Sequence, residues 1–162
     1  MTTVIDAVRD SALASELSPS EIELLSGVLT IRELKDGEVL LPEGSRESKL
    51  HVVVTGHIEV VQVSKDQGRR LLYRLEPGDL VGELSFMDDE PRFAALIANG
   101  PTEVLVLARS DFETLIDRSP QVVYKVMRAI MRVTHRVQRR LSLQLREMEH
   151  YIYRTGAKFV GE

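Results

Sequence analysis

Residues 82–92, Gly-Glu-Leu-Ser-Phe-Met-Asp-Asp-Glu-Pro-Arg, hold the densest set of groups capable of binding chemistry in the chain. Gly82 opens a short stretch, Gly82 to Met87, with the look of a single helical turn. The first amides of such a turn lack intrahelical acceptors and favour an anion. Glu83 lies in that turn and can accept hydrogen bonds from vicinal hydroxyls. Nine residues on, Arg92 brings a planar, permanently charged fork suited to phosphate. An anion cradle, a hydroxyl acceptor and a guanidinium together suit a sugar phosphate. The same residues read equally well as a Glu83–Arg92 ion pair at the edge of a β-structure.

Other chemistry is thin. The 162 residues include no cysteine, which excludes disulfides, thiolate metal sites and cysteine nucleophiles. His51, His57, His135 and His150 make no metal-ligand spacing such as His-Glu-x-x-His, so surface or cap roles are the better reading of all four. Asp88-Asp89-Glu90 reads as a solvated turn before a cation site, and no serine occupies a Gly-x-Ser-x-Gly elbow. The expectation is a protein that is not an enzyme and carries no metal or cofactor.

The elements that must position residues 82–92 follow from periodicity. Residues 1–16 read as an N-terminal helical extension, with Val4, Ile5, Val8, Ala12 and Leu13 at helical spacing. Ser18-Pro19-Ser20-Glu21 has the form of a capping box with proline at the first helical position. From Ile31 to Leu107, short β-rich runs alternate with turn signals: Val39–Leu41, Leu50–Val54, Ile58–Val63, Arg70–Leu75, Phe93–Ala98 and Val104–Leu107. Thr55-Gly56 and Asn99-Gly100-Pro101 read as two of the turns. Strands at this spacing predict a sandwich or barrel over residues 17–120 with short flanking helices.

A long helix is predicted over residues 121–151, followed by a tail at 152–162. In that helix Val123, Met127, Ile130, Thr134, Val137, Leu141, Gln144 and Met148 step by four and three, a heptad seam that predicts a homodimer. Residues 121–154 carry eight Lys/Arg against Glu147 and Glu149, whereas the whole chain has a net charge of −4. This basic helix on an acidic body reads as a solvated face before a nucleic-acid surface. No N-terminal signal pattern and no apolar run of membrane-spanning length is present, so the expectation is a cytoplasmic protein with no membrane partner.

The order Gly37-Glu38-Val39, Glu43-Gly44, Val54-Thr55-Gly56, Pro77-Gly78-Asp79, Gly82-Glu83-Leu84-Ser85, Pro91-Arg92, Asp111-Phe112 and Pro120 resembles the cyclic nucleotide-binding domain. That family occurs in catabolite-activator-type bacterial regulators and in protein kinase A regulatory subunits. The resemblance implies a mainly β fold: a β-roll or jelly-roll barrel with flanking helices, followed by a long C-terminal helix. It implies that Gly82, Glu83, Leu84 and Ser85 hold the ribose and phosphate of cyclic AMP or cyclic GMP, that Arg92 takes the phosphate charge, and that Val60 and Leu72 flank the purine. Leu75 falls at a third such position and reads better as core.

Three positions depart from the family pattern. Phe93 and Ala95 stand where a small residue and a threonine are usual. Val137-Gln138 stands where bacterial activators place a polar pair over the purine. Phe93 reads either as a ring filling phosphate space or as one turned away from it, which leaves two readings of the chain: a sensor that binds a cyclic nucleotide, or an interaction module that kept the fold and lost the ligand. In the bacterial activators a winged helix-turn-helix domain follows the long helix, and here about a dozen residues do. The resemblance thus implies a stand-alone module signalling through a protein partner, without sequence-specific DNA binding.

Overall fold

The computed structural model describes residues 2–66 and 68–156. Gln67 in the predicted turn, and residues 157–162 of the predicted tail, lie outside the described residues. The helices are α1 (Val4–Asp10), α2 (Pro19–Ser26), α3 (Glu83–Asp88), α4 (Arg109–Glu113), α5 (Leu115–Arg118) and α6 (Pro120–Gly156), with a 3-10 turn at Ala12–Ala14. The strands are β1 (Leu29–Leu34), β2 (Val39–Leu41), β3 (Lys49–Ser64), β4 (Gly68–Leu75), β5 (Leu80–Val81) and β6 (Ala95–Ala108).

The spine of the sheet is one antiparallel ribbon, β3 against β6, paired from Lys49↔Ala108 to Val61↔Ala95. The predicted turns at Thr55-Gly56 and Asn99-Gly100-Pro101 are not chain reversals. Both lie inside these long strands, where the register shifts between Val53 and Thr55 and again between Thr55 and His57. Gly56 takes φ +76°, and a Cβ there would overlap the Pro101 carbonyl and lie 2.8 Å from the Thr102 Cα. Glycine thus marks an irregular bend in the ribbon, a use that looks the same as a turn in sequence.

The expected jelly-roll barrel does not form. β1 and β2 pair with β6 on one edge and β4 and β5 with β3 on the other, giving an open path β1-β6-β3-β4 whose edges do not pair with each other. β5 ends after two residues, where Gly82 at φ +96° turns the chain into α3. β2 ends after three, before Pro42. These stubs cannot close a sheet. The fold is also not mainly β, because more residues lie in helices than in strands and α6 alone has 37. The architecture is mixed α/β, a bent open sheet with helices packed on it.

One hydrophobic cluster joins Leu50, Val52, Leu105 and Leu107 of the ribbon to α1, α2, α4, α5 and the first half of α6. A second, containing Val53, Ile58, Val60, Leu75, Ala94, Leu96 and Val104, fills the concave side beneath the site. α2 begins as its sequence dictates: the Ser18 hydroxyl accepts from the Glu21 amide at 3.4 Å, and the Glu21 carboxylate accepts from the Ser18 amide at 2.8 Å. Glu21 also pairs with Lys125 at 2.8 Å, and Glu16 pairs with Arg128 and Arg132. These pairs turn part of the basic face of α6 back onto the acidic N-terminal segment.

Candidate functional site

Gly82 begins the site because no other residue fits there. Its backbone is left-handed at φ +96°, and a Cβ would overlap the Arg92 guanidinium and lie 2.6 Å from the Lys49 carbonyl. The guanidinium therefore rests directly on the Gly82 backbone. α3 follows, with the Phe86 amide donating to the Gly82 carbonyl at 2.8 Å. At its far end Asp89, at φ +56°, accepts from the Ser48 hydroxyl at 2.6 Å and from Arg109 through both oxygens at 3.0 Å. The Ser85 hydroxyl donates to the Glu90 carbonyl at 2.8 Å, closing the loop from α3 to Arg92. The Gly44 amide donates to the Arg92 carbonyl at 2.7 Å, and the Arg92 amide to the Ser45 carbonyl at 3.0 Å. Both ends of this segment are thus fixed before any ligand is considered.

These elements enclose a cavity of about 270 Å³, walled by β3, β4, β5, α3, the Glu90–Ala94 segment and one face of α6. Gly82, Glu83, Leu84, Ser85, Arg92, Phe93 and Val60 all line it, as does Leu75. Leu72 does not. The β3–β4 register shifts beside Val60, so that Val60 faces Tyr73 and Val61 faces Leu71, and Tyr73 takes the place in the wall. Ala95 also lies away from the cavity, in a small cluster with Val61 and Ile97, so its missing hydroxyl does not alter the wall.

Arg92 is the electrostatic centre of the site. It is 9% exposed, yet its Nε has no hydrogen-bond partner, and one terminal nitrogen makes a long 3.4 Å bond to the Lys49 carbonyl. Among the described residues no carboxylate forms a salt bridge with it, so the Glu83–Arg92 ion pair is not made. Burial pulls its pKa below the ordinary guanidinium value, and the nearby Glu83 charge opposes that shift. Burial, followed by the Glu83 charge, raises the pKa of the Tyr73 phenol in the same wall. On the α6 side Thr134, Val137, Gln138 and Leu141 face the cavity, and the Thr134 hydroxyl is buried without a partner. Phe93 is 60% exposed at the rim, so its ring does not fill the space beside Arg92. The site therefore brings together a buried cation without a salt bridge, a buried α6 hydroxyl without a partner, and largely apolar walls.

Sequence reasoning did not assign Tyr73, Thr134 or Leu141 to the cavity. Thr134 and Leu141 were visible only as members of the heptad seam, and polar Thr134, interrupting it, was the one signal. His51, read as a surface or cap residue, is 2% exposed with Nδ1 unpartnered, and burial lowers its pKa to about 3.

Comparison with known proteins decides the family. A family model for the cyclic nucleotide-binding domain matches residues 31–119. The chain belongs to this family. Among relatives of the cyclic nucleotide-binding domain, the Cyclic AMP receptor protein of Thermus thermophilus is 30% identical over 125 residues, 77% of this chain and 58% of that protein. The chain thus spans under two thirds of that relative's length. A cyclic nucleotide-binding domain from Methylobacillus flagellatus superposes with a TM-score of 0.70 at 24% identity, over 94% of this chain and 82% of that one. The N-terminal domain of a transcriptional regulator from Streptomyces coelicolor gives 0.68 at 27% identity, over 82% and 94%. As a cyclic nucleotide-binding domain the chain is a regulatory module and not a catalytic one. No described helix is long and apolar enough to cross a membrane.

Proposed function

We propose that this chain is a sensor that binds cyclic AMP or cyclic GMP in the cavity between α3 and α6 and signals through a protein partner. The carrying observation is Arg92, a permanent cation buried at a cavity wall that makes no salt bridge among the described residues. Such a charge is costly unless an anion completes it. A cyclic phosphate seated on the Gly82 turn meets that guanidinium and the first amides of α3, while Glu83 accepts from the ribose hydroxyl. The purine then runs toward Val60, Tyr73 and Leu75, with Thr134 and Gln138 of α6 within the same wall. The cavity is close to the lower end of the range of about 300–1,000 Å³ typical of ligand sites, which suits a mononucleotide. The exposed ring of Phe93 favours this reading over an interaction module whose pocket is plugged.

Leu143, Leu145 and Met148 are exposed on the far half of α6, in the stretch where the seam was predicted to pair. Leu145 and Met148, three apart, share one face, and a second copy of this helix is the partner that covers them in a two-fold dimer. The decisive experiment is calorimetric titration of the full chain with cyclic AMP and with cyclic GMP, for the wild type and for Arg92→Met. Binding of either nucleotide that weakens on the order of 10- to 100-fold in the variant is expected, the scale of a hydrogen bond to a charged group. Absence of binding of both nucleotides to the wild type at millimolar concentration overturns the proposal.

A further inference from the structure

α6 changes surroundings along its length. Val122, Val126, Ala129, Ile130 and Val133 are buried in the core shared with α1 and α2. Beyond Val133 no described α6 residue is buried, and Thr134, Val137 and Leu141 rest half-buried against the cavity. That segment covers an opening rather than a packed core, and such segments are where local opening costs least.

Ion pairs divide in the same way. Lys125, Arg128 and Arg132 tie the first half of α6 to Glu21 and Glu16. Past the cavity, Arg140 donates to the Asp79 carboxylate at 2.8 Å. Arg140 lies between Gln138 and Leu141, and Asp79 immediately precedes Leu80 and Val81, all four lining the cavity. Asp79 is a rigid anchor. Its carboxylate also accepts from the Glu76 amide at 3.0 Å, and its carbonyl accepts from the Val53 amide of β3 at 2.9 Å. The Asp79 side chain is 11% exposed and that of Arg140 40%, so the pair is shielded on the sheet side and wet on the helix side. Such a pair is stronger than a surface pair and still open to salt and to competing charge.

We propose that the Arg140–Asp79 ion pair is a strap that holds residues 134–141 of α6 over the empty cavity, making Arg140 a positioning residue for the α6 wall. This rests on reading the cavity as a ligand site, but the strap acts before any ligand arrives. With the strap intact, Thr134 and Gln138 are held in the wall of the cavity that Arg92 also lines. When it is broken, this half of the helix swings on a pivot near Val133 and the wall must be re-formed on each binding event.

The test is hydrogen–deuterium exchange of the ligand-free full chain as wild type, Arg140→Gln and Arg140→Lys. In Arg140→Gln, amides of residues 136–145 are expected to exchange on the order of 3- to 10-fold faster, the scale of losing a half-exposed charged hydrogen bond. Amides of 122–133 should be unchanged, and Arg140→Lys should lie close to wild type. Unaltered exchange at 136–145 in Arg140→Gln overturns the strap, and so does equal acceleration at 122–133, which signals general destabilisation. With cyclic AMP as probe, the glutamine variant should release it faster. If the wild type binds neither cyclic AMP nor cyclic GMP, the ligand reading fails while the exchange result still decides the strap.

Discussion

Replacing Arg92 with methionine separates binding from folding. In most proteins removal of a buried, charged side chain lowers stability, because a partner is left unpaired. Here the partner is missing. The structure gives the guanidinium one bond, at 3.4 Å, to the Lys49 carbonyl and no salt bridge among the described residues. A good hydrogen bond is worth about 0.5–1.5 kcal/mol net, and one this long falls at the bottom of that range. Against it stands the cost of burying an unpaired charge, several kcal/mol before water and local relaxation reduce it. Methionine fills a similar unbranched path with no charge to desolvate. The balance puts Arg92→Met between unchanged and about 2 kcal/mol more stable than wild type. Urea unfolding followed by circular dichroism reads this directly, and calorimetry on the same sample should show nucleotide binding weakened on the order of 10- to 100-fold. A variant destabilised by more than about 1 kcal/mol would refute the reasoning, because Arg92 would then be a structural tether and not a cation waiting for an anion.

Gly82→Ala combines a left-handed backbone with a Cβ driven into the Arg92 guanidinium, so urea unfolding should show a loss of about 2–4 kcal/mol, the left-handed conformation alone accounting for about 1–2. His51 has a folded pKa of about 3, below its unfolded value. The unfolded chain therefore binds the extra proton between those values, and stability falls as pH drops from about 6.5 toward 3, by at most about 1.4 kcal/mol per pH unit. His51→Leu should flatten that slope in urea titrations at pH 4, 5 and 6. Leu145→Glu with Met148→Glu should turn a dimer into a folded monomer, read by light scattering and circular dichroism, since both side chains are exposed on the single chain. Ile130→Glu is expected to unfold the chain instead, because Ile130 is 3% exposed within its own core.

The parts of the molecule legible in sequence are those whose signals are local. The capping box at Ser18 and the turn at Gly82 lie within a few residues of what they specify. The run from Gly82 to Arg92 holds most of the cavity's polar wall in eleven consecutive positions. The errors share one cause, contact between distant residues. Whether two sheet edges meet is set by how soon β2 and β5 stop, and two- and three-residue strands leave little periodic trace. Gly56 and Gly100 looked like turns because a bend in a long strand and a chain reversal both require glycine. Leu72 was expected beside the purine through the family resemblance, and the register shift next to Val60 gave that place in the wall to Tyr73. The seam in α6 read as one continuous partner-facing stripe. In three dimensions Ile130 enters the core, Thr134, Val137 and Leu141 face the cavity, and the exposed part begins beyond them. The Arg140–Asp79 pair spans 61 positions, and no spacing rule reaches that far.

α6 brings these observations into one physical argument. A helix of 37 residues is about 55 Å long. Its first half is fixed by burial and by pairs to Glu16 and Glu21, its middle covers the cavity, and its last part presents Leu143, Leu145 and Met148 to solvent. Under the strap proposal the half beyond Val133 bends against the fixed first half, so a small tilt at the cavity becomes a larger displacement at Met148. A nucleotide can drive that tilt only if it binds one setting of α6 better than another. Under the proposed function Thr134 is the candidate for that difference, since its hydroxyl is buried without a partner in the α6 wall of the cavity. Linkage then requires the reverse effect: whatever grips the exposed end of α6 in its closed setting must tighten nucleotide binding by the same factor.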